Sequence, residues 1–108
     1  MFSDKKYKVK KIKQAESEYD ALTTEQQSLV DEDYKTVEQE GIHRVSTKKL
    51  EKDLYEIRTD TVRSLYTYRE SELIVVVTIF VKKKQKTPEQ YKKLARKRIK
   101  NLGDHDYD

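Results

Sequence analysis

A chain of 108 residues, 34% hydrophobic and 41% charged, makes one domain around one small core, stable enough only by a narrow margin. No stretch approaches ~18 apolar residues and there is no cysteine, which excludes a membrane-spanning helix, disulfides and zinc–thiolate sites. The net charge of +4 conceals a sorting of charge: residues 14–41 hold nine acids against Lys35, a net of −8, and residues 82–100 hold ten bases against Glu89, a net of +9. Six more lysines fall within residues 5–13. One acidic and one basic surface are expected, the basic one suited to a polyanion; the alternative is a solvated basic face balanced by acidic helices. The N-terminal MFSDKKYKVKKIK has no apolar leader core, and a cytoplasmic location is expected.

Residues 7–12 (YKVKKI) alternate as a strand. Ala15, Tyr19 and Leu22 follow at the spacing of a short amphipathic helix. Thr23…Gln26 and Thr24…Gln27 are overlapping capping boxes that open a second helix. Its stripe is Val30, Tyr34 and Val37, and Gly41 stops it. Residues 42–53 read as a basic connector. Three strands follow, LYEIRT (54–59), VRSLYTYR (62–69) and LIVVVTIFV (73–81), the last apolar on both faces and therefore interior. Thr87 as N-cap and Pro88 at the first helical position open a final helix that ends at Gly103. The expected fold is α+β: an antiparallel sheet made of an N-terminal strand and a three-stranded meander, with two N-terminal helices and one C-terminal helix. Residues 1–103 form the domain and 104–108 a flexible tail.

A turn centred between Asp60 and Thr61 places Arg58 opposite Arg63 on one sheet face. Like charges there are destabilising unless water or an anion relieves them. A second turn centred between Glu70 and Ser71 sets Arg63 opposite Thr78, with Phe80 and Lys82 on the same face. Arg58, Arg63, Thr78, Phe80 and Lys82 then make one band at the sheet end, where the lysines of IFVKKKQKTP (79–88) begin, as a phosphate cradle would require. Alternatively, the arginines pair with Glu56, Glu89 or the acidic helices. Phe80 is a candidate for stacking a base, or a core residue.

The stretch 48–102 resembles the phage-derived HigB-like branch of the RelE/ParE toxin superfamily. The matching pieces are LYEIR (54–58), Arg63 five residues on, FVKKKQKTP (80–88) and a basic helix carrying Ala95. The resemblance implies the RelE-like fold and a toxin of a type II toxin–antitoxin pair. It also implies a metal-free endoribonuclease without cofactor that cuts mRNA on the ribosome and is neutralised by a cognate antitoxin protein. Arg58 and Arg63 match the family's paired basic positions, and Lys82 matches the lysine after the strand's aromatic residue. These three would stabilise charge on phosphorus. Lys48, Lys49, Lys83, Lys84 and Lys86 would hold RNA backbone. Glu56 is a candidate base, although a bridge to arginine would make it a poor one. The chain departs from relatives that end in a histidine–tyrosine pair: His105 and Tyr107 are split by Asp106. His43 reads as a surface residue, and Tyr66 and Tyr68 as core. The competing functions are a ParE-like gyrase inhibitor and a non-catalytic basic nucleic-acid-binding phage protein.

Overall fold

The longest apolar run in the chain becomes the strand on which the rest is assembled. A computed structural model describes residues 6–83, 86–103 and 106–107. In it, β1 (Lys8–Lys11), α1 (Lys13–Asp20), α2 (Thr24–Glu40), a 3₁₀ turn (Ile42–Arg44), β2 (Thr47–Glu51), β3 (Leu54–Thr59), β4 (Val62–Arg69), β5 (Leu73–Val81) and α3 (Glu89–Lys100) follow in order. The strands form one sheet in the order β1-β5-β4-β3-β2. The residues of β5 from Ile74 to Phe80 are all buried, as an interior strand with neighbours on both sides requires.

Two features of the sheet differ from the sequence expectation. β1 lies parallel to β5, so the sheet is mixed rather than wholly antiparallel. The basic connector also contributes an edge strand, β2, paired antiparallel to β3. Its TKKLE lacks the apolar alternation that marks a half-buried strand, and exposed lysines are what an edge strand tolerates.

The β3–β4 hairpin has the expected register, with Arg58 opposite Arg63 and Ile57 opposite Ser64. Asp60, at φ 54°, takes the left-handed position of its two-residue loop. The β4–β5 register differs. The loop is three residues, with Ser71 and Glu72 at φ 65° and 56°, and Val77 is an extra residue in β5 opposite the Leu65–Tyr66 step. Arg63 therefore faces Phe80, and Thr78 faces Leu65. The odd loop turns the side chains over and the bulge turns them back, so Arg63 and Phe80 still share a face.

α2 and α3 cover opposite faces of the sheet. Tyr34 of α2 donates to Ser64 Oγ at 2.7 Å, and Thr59 donates to Asp33 of α2 at 2.6 Å. Phe80 stacks on Tyr91 of α3 from the other side. The first of the two capping boxes forms: Gln26 N–H donates to Thr23 Oγ1 and Thr23 N–H to Gln26 Oε1. α3 starts one residue later than expected, with Pro88 at the N-cap position, because the Thr87 hydroxyl is engaged elsewhere.

β1 reaches only to Val76, which leaves the far half of the β5 edge without a strand. Side chains fill the gap. Glu18 of α1 accepts from Ile79 N–H and the Thr78 hydroxyl, both at 3.0 Å. Arg98 of α3 donates to the carbonyl of the bulged Val77 at 2.8 Å and pairs with Glu18 at 3.0 Å. The Ile79 N–H and the Val77 carbonyl, left open where β1 ends, are thereby satisfied. Tyr107 packs, half-buried, against the core.

Candidate functional site

β3, β4 and β5 carry one row across the α3 face of the sheet: Arg58, Arg63 and Phe80, each directly opposite the next. The two guanidinium groups resolve their mutual repulsion separately. Arg58 donates from Nε to Glu56 Oε1 at 3.3 Å, its side chain 39% exposed. Arg63 folds back over the β3–β4 turn, its Nη1 donating to the carbonyls of Asp60 at 2.6 Å and Val62 at 3.1 Å. Its Nε is buried without a hydrogen-bond partner among the described residues. The cations thus rise from directly opposed positions on one face, and among the described residues only Arg58 is held by a carboxylate.

Glu56 joins the arginine row to the lysine segment. Its carboxylate is 1% exposed, and each oxygen has a partner: Oε1 takes Arg58, and Oε2 takes the hydroxyl of Thr87. A buried carboxylate is tolerable only when paired and hydrogen-bonded, and here both conditions are met. That occupancy removes Glu56 as a free base. It also fixes the start of α3 over the sheet, and with it Lys86 and Pro88.

Two grooves flank Pro88. One, of about 630 Å³, has Lys48, Lys86 and Lys92 around Leu50, Thr87 and Pro88. The other, of about 270 Å³, brings Lys82 and Lys83 together with Gln90 and Tyr91. Lys48 sits opposite Glu56 and therefore on the α3 face. Lys49 sits opposite Tyr55, which puts it on the other face, away from the row; alternation along a strand separates neighbours that the sequence lists together. Phe80 is 7% exposed, its ring covered by Tyr91 with centroids 3.8 Å apart and planes parallel within 1°, so the phenylalanine is core. The half-buried ring that lines the groove is Tyr91, which the sequence shows only as a member of the α3 apolar stripe. Thr78 leaves the band for Glu18. Lys84 and His105 lie outside the described residues. His43 is exposed, as expected, and Tyr66 is buried. Glu89, on the rim beside Lys92 at 3.0 Å, has its carboxyl held below the usual range by that ammonium. Lys92 is a further cation of the groove.

Residues 17–100, a span that contains the arginine row, Glu56 and the lysine grooves, match a family model described as Phage derived protein Gp49-like (DUF891). The chain belongs to the Gp49-like family. This Gp49-like chain also resembles, in fold, a chain of the crystal structure of the archaeal RelE–RelB complex from Pyrococcus horikoshii OT3. The two superimpose with a TM-score of 0.60 at 23% identity, over 71% of this chain and 96% of the other. The α+β, RelE-like fold expected of the sequence is the fold observed. No curated protein matches the chain significantly.

Proposed function

We propose that this Gp49-like chain is the toxin of a type II toxin–antitoxin pair, an endoribonuclease that cuts mRNA on the ribosome in the manner of the HigB-like branch. The observation that carries this reading is the directly opposed Arg58 and Arg63 on the α3 face, with the Lys48–Lys86–Lys92 groove beside them. Two guanidinium forks side by side are costly without an anion and well matched to the oxygens of a phosphodiester.

In the proposed reaction a ribose 2′-oxygen attacks the adjacent phosphorus while its proton passes to a base. The bond to the 5′-oxygen breaks, that oxygen takes up a proton, and a cyclic phosphate and a free 5′-hydroxyl result. Arg58 presents its Nη groups to the developing charge while Glu56 steadies Nε. Arg63 reaches the same phosphate by exchanging its turn carbonyls for the anion. Lys82 supports charge from the end of β5, and Lys48, Lys83 and Lys86 bind backbone.

The partner in this reading is an antitoxin protein. A solved structure that shares the fold is a RelE–RelB complex, and the segregated basic surface suits an acidic partner. One observation favours the alternative of a non-catalytic nucleic-acid-binding protein: Arg63's guanidinium is spent on turn carbonyls, which a structural role also explains. Brief induced expression followed by mapping of RNA 5′ ends separates the two. Discrete cuts within translated messages, lost in Arg58→Ala, support the ribonuclease. Growth arrest without cuts, or full toxicity in Arg58→Ala, refutes it.

A further inference from the structure

A third groove lies at the other end of α3, away from the arginine row. It has a volume of about 560 Å³ and sits between the β2–β3 turn and the last turns of the helix. Leu54 and Ile99 form its floor, and Lys52, Arg96, Lys97 and Lys100 stand around it; Asp53 is the one acid of the lining among the described residues, and Arg96 is paired with Glu51 beside it. The walls are mainly hydrocarbon, because long basic side chains lay their stems along apolar surface and hold their charges at the rim.

We infer that this groove docks an acidic, apolar segment of a partner protein, as an anchor separate from the phosphate-binding row. The chemistry of the lining selects that occupant. A hydrophobic floor takes leucine-like side chains, and Lys52, Lys97 and Lys100 around it take the carboxylates that flank them, Arg96 being already paired with Glu51. Single-stranded RNA asks for ring faces on which to stack, and the lining has none among the described residues. A second copy of this chain offers the right chemistry on α2, where Leu29 is 38% exposed beside Glu25 and Glu32. However, α2 and α3 cover opposite faces of the sheet, so two copies cannot exchange that contact reciprocally. They would add head to tail, as a ring or an open filament and not as a two-fold pair.

The location has a consequence for how such a partner acts. Lys92, in the lysine groove, and Ile99, on this floor, are seven residues apart, which is about 10 Å along a helix. A segment seated here leaves Arg58 and Arg63 uncovered, and its binding does not depend on RNA cleavage.

The test is a titration of the isotope-labelled full chain with a synthetic amphipathic helical peptide of leucine and glutamate, followed by backbone amide shifts. Shifts at Lys52–Leu54 and Arg96–Lys100 are expected. Lys52→Glu/Lys100→Glu, two exposed residues, should weaken the peptide roughly tenfold while circular dichroism and melting stay unchanged. Shifts confined to the Lys48–Lys86–Lys92 groove, or unchanged affinity in the double variant, would overturn the inference. So would a single-stranded RNA oligonucleotide that moves residues 96–100 more than the peptide does. Concentration-dependent sedimentation that disappears in Leu29→Glu would assign the groove to a second copy instead.

Discussion

Replacing Thr87 with valine removes one hydroxyl and little else, and the structure fixes what that costs. The hydroxyl is the partner of Glu56 Oε2 inside a site where the carboxylate is 1% exposed. Valine keeps the shape but leaves a charged oxygen with no donor. A hydrogen bond to a charged group is worth about 1.5–3 kcal/mol, and a buried acceptor stripped of its partner carries its full desolvation cost. We expect a loss of about 2 kcal/mol, a large share of the stability of a domain this size, and a fall in Tm on the order of 10 °C. Urea denaturation of wild type, Thr87→Val, Glu56→Gln and the double variant gives the cycle. Glu56→Gln removes the charge that made the loss expensive, so the double variant should cost less than the sum by about 1 kcal/mol or more. Hydrogen exchange should locate the change, with faster exchange at Tyr91 and Lys92, whose amides bond to Pro88 at the start of α3. If Thr87→Val costs under about 0.5 kcal/mol, or the two substitutions are additive, Glu56 does not tie the lysine segment to the sheet and the reasoning fails.

Arg98→Leu should destabilise by roughly 2–3 kcal/mol, since it strips the Val77 carbonyl and the Glu18 carboxylate together; equilibrium unfolding checks this, and a neutral result would show that water replaces the clasp. Thr23→Ala should cost about 1 kcal/mol through the α2 capping box, read by the same measurement. Arg63→Ala should lower stability as well as any activity, because its guanidinium caps the β3–β4 turn, and Arg58→Ala should cost about 2 kcal/mol or more, because it leaves the buried Glu56 carboxylate without its cation; equilibrium unfolding of both variants checks this. Burial is the main cause that pushes Tyr34 and Tyr66 well above the ordinary phenol range, and burial with the Asp31 bond pushes Tyr19 up to about 12. Because these folded-state values lie above the unfolded value near 10, their contribution is intact below pH 10. It is lost as pH rises through 10 to 12, at roughly 1.4 kcal/mol per pH unit for each fully buried ring. Melting temperatures between pH 8 and 11.5 that do not fall above about pH 10 would refute this.

The first hairpin was legible because its two-residue loop admits one register and its strands alternate visibly, so the Arg58–Arg63 pairing could be read before any coordinates. β5 was not legible in the same way. A strand apolar at nearly every position has no alternation to fix a register, and neither the three-residue loop nor the Val77 bulge leaves a compositional mark. β2 escaped notice because an exposed edge strand of lysines has the pattern of a loop. In the site, the lysines were read as a cluster by their neighbourhood in the chain, and the pleat then sent Lys48 and Lys49 to opposite sides. Thr87 was read as a cap, since Thr-Pro-Glu is a helix-start signal. Its actual partner is a buried carboxylate thirty-one residues away, which no local pattern reports.

The side chains that finish the β5 border do more than satisfy a bulge. A bare strand margin is a template on which a stray extended peptide can lengthen the sheet, and a small domain with so thin a core opens often enough for that to matter. With Glu18 and Arg98 standing where a sixth strand would lie, the docking positions for such a peptide are already filled by charge. An extended peptide can add to that margin only by displacing both side chains.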